Sequence, residues 1–463
     1  MNQEQAETVK DCCKIIVANY LKKNGFSHTL NAFLRESGQT SKVLMDSDNG
    51  SIFEALETLV GERIEFGQEV VAQEMQKLTV NDRLVAIDTR KHFVPSWNHL
   101  LKFSAVPLAV DKDALPGGLP LSVSWCDPDD SLIISTSIKE VCIYKEGRLY
   151  SDLSELGKKN GIIRQCGSIG HTGAYYLCCL DGTLLVVNEG TSDYKFKLHQ
   201  RIISHISFVP QVEGSWVIVS CGLDNYLKLH KLDLATGDFE ELWKVKLLSP
   251  CTSLQIARKA NGCGSSDEIM IFLTRQDYTH VMCYTVARDR LLLTYKIALN
   301  NSQFNAFSFN VRDMVILGDK CIDGIPQLSS RSTLAVATSH IPYMRLLLVE
   351  IPTWESAATA ETTEKTFYDK MLRNMATEVS QDSYSQPILR TLGNGNGGIL
   401  VGGNQGLYAI DILRSDSWLI TDIPEVFRSE RIKCMETNKS GNKLAIFFSN
   451  RSSCIFKVAE MVT

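Results

Sequence analysis

The sequence predicts a mainly β fold, a seven-bladed β-propeller preceded by a small α-helical module. Three observations predict it. Apolar residues recur at helical spacing only near the N-terminus. From about Leu121 onward, short Val/Ile/Leu/Tyr/Phe runs alternate with Gly, Asp, Asn, Ser and Pro turns. Seven of those runs share one shape.

The N-terminal module is read first. From Val9 the apolar residues Val9, Cys13, Ile16, Val17, Tyr20 and Leu21 recur at three and four, and lysines and Asp11 fall largely between them, as in an amphipathic helix. Asn24-Gly25 supplies residues that tolerate a left-handed backbone and end it. Ser27 is the expected cap of a second helix, with Leu30, Phe33 and Leu34 as its apolar face and Gly38 as its stop. Two isolated helices of this length are marginal in water, so the hairpin needs another apolar surface, in its own chain or in a second copy.

The stretch "NYLKKNGFSHTLNAFLRES", residues 19–37, resembles the LisH motif: a tyrosine and leucine before a Gly-aromatic pair, a Thr/Ala-rich turn, then a Phe and an acidic residue. That resemblance implies homodimerisation through a four-helix bundle. It carries the role to Ile16, Val17, Tyr20, Leu21, Phe26, Leu30 and Phe33, with Gly25 at the turn. A hairpin docked on its own domain is the alternative.

After a turn at 46–50, "SIFE" has capping-box form, Ser51 bonding forward and Glu54 reaching back, and a helix is expected to about Leu78. Its apolar positions run close to heptad spacing, weakened by Gly61 and Gly67, so it either extends the dimer or lies on the next domain. "DSDNGSIFEALE" places Asp46, Asp48 and Glu57 at positions one, three and twelve of a calcium loop. Ser51 stands where that loop needs glycine, and a helix cap is the better account.

The repeated shape is strand, turn, strand, small-polar turn, and a third strand ending in an aromatic. It is fullest in "LSVSWCDPDDSLIISTSIKEVCIY" (121–144) and "RIKCMETNKSGNKLAIFFSNRSSCIF" (431–456), with five further units between. These units resemble WD repeats. In the third, His199, Phe208, Pro210, Ser220, Asp224 and His230 fall where that family has its histidine, its Phe-x-Pro, its serine, its turn aspartate and its tryptophan. The departures are Leu198 for the usual glycine, and His230, Val187, Tyr144, Phe456 and Tyr284 for tryptophan. The resemblance implies a WD-type propeller in which His199, Ser220 and Asp224 form a buried structural network. Ring closure usually needs strand exchange between ends, and "HLLKFSAVPLAV" (99–110) is the expected outer strand of the last blade.

The domain reading is therefore 1–40 helical hairpin, 41–90 helical extension or linker, and 91–463 propeller, with insertions near 256–268 and 355–386. In the second insertion Phe367, Met371, Leu372 and Met375 suit one face of a docking helix; a solvated loop with one helical turn suits them equally.

Several function classes are excluded at this level. A net charge of -5 without any concentrated Lys/Arg stripe argues against direct nucleic-acid binding; Lys22-Lys23 and Lys158-Lys159 read as solvated faces. The 14 cysteines are scattered without CxxC spacing and read as reduced, mostly buried small hydrophobes. The N-terminus has no basic-then-apolar leader pattern, and no run approaches a membrane helix. GxxxxGK[ST], HExxH and GxSxG are absent; "GNGNGG" (393–398) runs into the strand-like "ILVGG" where a dinucleotide site needs a helix.

The expectation is thus a non-catalytic scaffold, with no cofactor, metal, membrane or small-molecule substrate. Its expected partners are itself, through the hairpin, and the proteins of a multisubunit complex in nucleus and/or cytoplasm. The LisH-propeller resemblance implies a nuclear transcription or chromatin corepressor-type assembly; a multisubunit ubiquitin ligase and a dynein or microtubule regulator are the alternatives. An enzyme using the propeller channel is the rival class.

Overall fold

The computed structural model describes residues 3–38, 56, 58, 60–61, 86–108, 115–126, 129–188, 194–211, 214–259, 268–287, 289–300, 309–318, 320–322, 324–352, 365–392, 398–421 and 423–460. The chain divides into two compact units, the first comprising Met1–Arg83 with Ser302–Phe304 and the second Leu84–Asn301 with Asn305–Thr463.

In the first unit, α1 (Gln3–Lys23) and α2 (Ser27–Ser37) form the expected hairpin. The turn is made by Gly25 at φ +74°, and Gly38 ends α2 at φ +69°, both in the left-handed region where a side chain is strained. Asn24 closes α1, its backbone N–H and its Nδ2 both donating to the Tyr20 carbonyl at 3.1 and 3.0 Å. Ser27 does not cap α2. Phe26 holds the cap position, its carbonyl accepting from Leu30 N–H at 2.8 Å, and Ser27 is the first helical residue with its hydroxyl 3.5 Å from the Gly25 carbonyl. The left-handed glycine turns the chain straight into the helix, so no side-chain cap forms. Of the helix expected over 51–78, Leu56, Thr58, Val60 and Gly61 are helical; its other residues, and the calcium-loop positions Asp46, Asp48 and Glu57, lie outside the described residues.

The second unit is a β-propeller whose described strands form seven sheets. Taken in chain order, their inner strands are Pro120–Cys126, Ile163–Ser168, Ile203–Pro210, Cys251–Lys259, Val311–Leu317, Ile388–Thr391 and Ile432–Thr437. Each is followed by an antiparallel meander of second, third and outer strands. In the first six sheets the four meander strands come in chain order, although in the fifth the hairpin of Lys320–Ile322 and Ile325–Leu328 and the strand Lys365–Phe367 intervene and pair with the fourth sheet instead. In the seventh the outer strand is Leu101–Val106, paired antiparallel with Ser453–Glu460 from Leu101 opposite Glu460 to Val106 opposite Ile455. The segment expected to close the ring does so.

The core explains why the strands read as near-continuous apolar runs. Successive side chains of a strand point to opposite faces, and here both faces are covered by a neighbouring sheet. In Ser131–Thr136 every residue is buried: Leu132 and Ile134 enter the cluster shared with the seventh sheet, Ile133 the cluster shared with the second. The same holds around the molecule, with one apolar cluster between each pair of successive sheets, the seventh and first included. Tyr144, Val187, His230, Tyr284 and Phe456, standing in for tryptophan, all lie on third strands. The described cysteines, Cys13 and Cys321 apart, are buried, and burial pushes the Cys126, Cys166 and Cys283 thiols up to about 12.

Two segments depart from expectation. Met371–Ser380 is a strand, the outer one of the fifth sheet, with Met375, Thr377 and Val379 buried at period two; Lys365–Phe367 is a short strand parallel to Tyr295–Ile297. The docking helix over Phe367, Met371, Leu372 and Met375 is therefore corrected: hydrogen bonding to Tyr343–Glu350 sets the period, not the 3–4 spacing of four apolar residues. Residues 86–90, expected in the linker, belong to the second unit, where Arg331 Nη2 donates to the Thr89 carbonyl at 2.9 Å and Ile87 packs on the cluster between the fifth and sixth sheets. A seven-residue helix, α3 (Ser154–Asn160), joins the first and second sheets.

Candidate functional site

Among the described residues no group of three or more His, Cys, Asp or Glu is placed to hold a metal, and no helix is long and apolar enough to cross a membrane. Three places carry the functional question: the hairpin, the His199 network and the propeller channel.

On the hairpin, Ala18 is buried, whereas Ile16, Val17, Tyr20, Leu21, Leu30 and Phe33 are half-buried and Phe26 is 50 % exposed. No residue of α2 is buried. The predicted dimerisation set therefore keeps apolar surface open in a single chain.

The second constellation is brought together as expected. His199 follows the outer strand of the second sheet, Ser220 lies in the second strand of the third, and Asp224 sits in the turn before that sheet's third strand. His199 Nδ1 is 2.9 Å from Asp224 Oδ1, and its Nε2 is 2.9 Å from Ser220 Oγ. Because a carboxylate only accepts, Nδ1 carries the proton and Nε2 accepts from the serine hydroxyl. Asp224 also accepts the backbone N–H groups of Gln200 (2.9 Å) and Tyr226 (3.3 Å), tying two connections to one turn. Burial holds the imidazole below its usual range, opposed by the Asp224 carboxylate. The order Asp-His-Ser imitates a hydrolytic triad, but Ser220 is 0 % exposed and no substrate reaches it. Gly222, which the sequence reading passed over, completes the network by leaving room for the ring.

The propeller channel was not resolved into residues by sequence reasoning. A cavity of ≈ 510 Å³ is lined by the inner strands of all seven sheets near their N-terminal ends, among them Ser122, Gln165, Ser204, Ser253, Asp313, Arg390 and Glu436. In its wall Arg390 binds both of the cavity's carboxylates, with Nη2 2.9 Å from Glu436 Oε2 and Nη1 3.6 Å from Asp313 Oδ2. Asp313 also accepts from Ser253 Oγ (3.2 Å) and Leu389 N–H (2.9 Å), so each of the fourth to seventh sheets is tied to its neighbour along the channel wall. Burial raises the Glu436 carboxyl, with Arg390 pulling the other way.

The far end of the channel is narrowed by a hairpin of Lys320–Ile322 and Ile325–Leu328, which leaves the fifth sheet and pairs parallel with the inner strand of the fourth, Arg258 opposite Gln327. Lys320, Cys321, Gly324 and Pro326 line a second cavity, of ≈ 530 Å³, at that end. Pairing to the free edge of an inner strand puts these residues over the opening.

Repeated bulges shape the near end. In six of the seven sheets the pairing of inner and second strands skips one residue, always the second of the inner strand: Leu121, Arg164, Ser204, Thr252, Arg312 and Lys433. A bulge leaves its extra residue out of the ladder and re-aims its side chain. All six line the first cavity. Arg164 Nη1 donates to the Leu121 carbonyl at 2.8 Å, linking neighbouring bulges.

Comparison with known proteins agrees with this architecture. A family model described as UCP007778, beta-propeller domain, matches residues 78–457, and another, UCP007778, LisH domain, matches residues 12–40. The uncharacterized protein YGR117C of Saccharomyces cerevisiae (strain ATCC 204508 / S288c) is 35 % identical over 464 residues, which cover 96 % of each chain.

Proposed function

The chain belongs to the UCP007778 family, and from the presence of that family's LisH and beta-propeller domains in one polypeptide we propose a non-catalytic scaffold that self-associates through the hairpin and binds other proteins on the propeller. LisH and propeller domains are typical interaction modules. The observation that carries the reading is the pairing of a closed ring of sheets, read here as seven blades, with a hairpin whose second helix buries none of its own residues. Two copies joined in this way would display two propellers, and linking two modest sites raises avidity without any new contact.

The setting we propose is a multisubunit assembly in nucleus and/or cytoplasm, of the transcription or chromatin corepressor type that the LisH-propeller resemblance implies. Affinity purification of the tagged full-length protein with mass spectrometry tests it. Stoichiometric recovery of chromatin-regulating subunits is the expected outcome, and recovery of ubiquitin-ligase or dynein subunits in their place overturns the setting. Analytical ultracentrifugation tests self-association separately: a monomer at micromolar concentration overturns that part.

A further inference from the structure

The near mouth of the channel has a charge that its own carboxylates do not balance. Of the six bulged residues, Arg164, Arg312 and Lys433 are cationic and none is acidic. The cavity's two carboxylates, Asp313 and Glu436, are both engaged by Arg390, and no ion pair is made by Arg164, Arg312 or Lys433 among the described residues. Arg164 and Arg312 donate only to carbonyls, those of Leu121 and Ser383, which leave their charge uncompensated, and Arg312 Nε is buried without a partner. Like charges held around a low-dielectric opening focus the field on whatever enters it.

Among mixed polar connections, the described rim of this mouth carries several exposed large apolar side chains. In a four-stranded meander the connection between second and third strands, and the connection to the next inner strand, both lie at the N-terminal end of the inner strands, the end where the bulges stand. On those connections are Ile138 (58 % exposed), Ile341 (60 %) and Tyr384 (82 %), with Tyr343 (54 %) at the start of its strand. The Tyr384 loop is held rigid from both sides. Arg312 Nη2 donates to the Ser383 carbonyl (2.8 Å), Arg431 Nη2 to the Tyr384 carbonyl (3.2 Å), and Asp382 accepts from Tyr384 N–H (2.8 Å) and Ser385 Oγ (2.9 Å). One arginine thus serves the cationic ring and the aromatic rim together. A large aromatic fixed at this exposure loses little freedom when a partner covers it.

We propose that the channel mouth is a docking site for an acidic peptide segment of a partner protein, whose anionic side chain enters between Arg164, Arg312 and Lys433 while flanking apolar side chains lie on Tyr384 and Ile341. A free inorganic anion would use the cations and leave the rim idle; a basic or purely apolar segment would meet three uncompensated charges. The proposal rests on the reading of the propeller as a protein-binding surface and names the chemistry of its partner.

The test is selection of a random 12-residue peptide phage library on the immobilised full-length protein, with an acidic residue beside apolar ones as the expected consensus. A synthetic peptide of that consensus should bind the Lys433→Glu and Arg164→Glu proteins at least about tenfold more weakly, and binding should weaken as salt rises. Lys433 is exposed and unpaired among the described residues, so its reversal should leave the melting temperature unchanged and keep the comparison interpretable even should Arg164→Glu perturb folding. A basic or uncharged consensus, absence of enrichment, or equal binding by Lys433→Glu overturns the proposal. A basic consensus that still maps to the propeller would leave the scaffold reading standing, and the copurification experiment judges that reading independently.

Discussion

Gly222 stands so close to His199 that a Cβ on it would lie 2.5 Å from Nδ1 and 2.6 Å from Asp224 Oδ1. No real Cβ tolerates such contacts with a ring and a carboxylate both fixed by hydrogen bonds, so the glycine is part of the network although it contributes no polar atom. Asp224→Ala removes the acceptor of His199 Nδ1 and of two backbone N–H groups, and each buried donor left unpaired costs ~1–3 kcal/mol. Gly222→Ala should lower the melting temperature comparably, by displacing the ring while every donor and acceptor remains. Differential scanning calorimetry of the two variants checks this. An Asp224→Ala protein as stable as wild type would remove the WD-type network from this sheet, and a stable Gly222→Ala protein would show the ring free to move.

Two histidines, His230 and His280, should make the propeller acid-sensitive. Burial holds His230 down at about 3, with Lys228 adding to it and Glu241 opposing, and holds His280 down at about 4, with Lys296 and Arg275 adding to it. His199 shifts in the same direction. A histidine whose folded-state value is depressed binds fewer protons folded than unfolded, so its stability is complete above the unfolded value near 6.5 and is lost as pH falls towards the folded value. Between pH 7.5 and 5.5 the loss is about 1 kcal/mol for His230. His230 stacks on Phe239 at 4.9 Å and its Nδ1 has no partner among the described residues. His230→Phe should therefore keep the neutral-pH melting temperature and flatten its fall at pH 5.5. An unchanged pH slope would place the sensitivity elsewhere.

The hairpin offers a separate prediction through Phe26, which is half exposed in the single chain, and Phe33, half-buried beside it in sequence pattern. Phe26→Asp should leave α1 and α2 helical, because Phe26 holds a cap position and makes no side-chain cap bond. It should nonetheless weaken self-association, since a carboxylate buried in an apolar interface is uncompensated. Sedimentation velocity across concentration reads the difference; an oligomer unchanged by Phe26→Asp would move the interface off this face.

What was legible in the sequence follows from which forces act locally. The two helices, their glycine ends and the seven repeated runs depend on period and turn chemistry, and those are written in consecutive residues. His199, Ser220 and Asp224 were legible because a repeat resemblance aligned them across two connections. Met371–Ser380 misled: Phe367, Met371, Leu372 and Met375 happen to fall at helical spacing, while the strand's true period rests on Met375, Thr377 and Val379 and on a partner strand some thirty residues away. The channel ring was invisible for a related reason. Arg164, Arg312 and Lys433 lie far apart in sequence, and only the bulge at the same strand position in separate sheets turns them to one mouth.

The last prediction concerns how the ring is held shut. Leu101–Val106 supplies the outer strand of the seventh sheet, so the N-terminal end of the propeller is clasped to its C-terminal strands by backbone hydrogen bonds and by Phe103, which is buried against Phe456 with ring centroids 6.4 Å apart. Phe103→Ala removes a buried aromatic from the cluster between the sixth and seventh sheets, at a cost of roughly 3–5 kcal/mol. Deletion of 99–106 goes further: Ser453–Glu460 becomes an unpaired edge strand, an exposed template for pairing with other chains. The substitution should thus lower the melting temperature of a protein that remains soluble, whereas the deletion should produce concentration-dependent aggregation seen by light scattering. Supplying residues 99–110 as a separate peptide should suppress that aggregation, because the missing strand is bound by register and not by its covalent link. A deletion protein that stays soluble and melts like wild type would mean that the ring is closed by the cluster between the seventh and first sheets alone, and that the clasp contributes nothing to it.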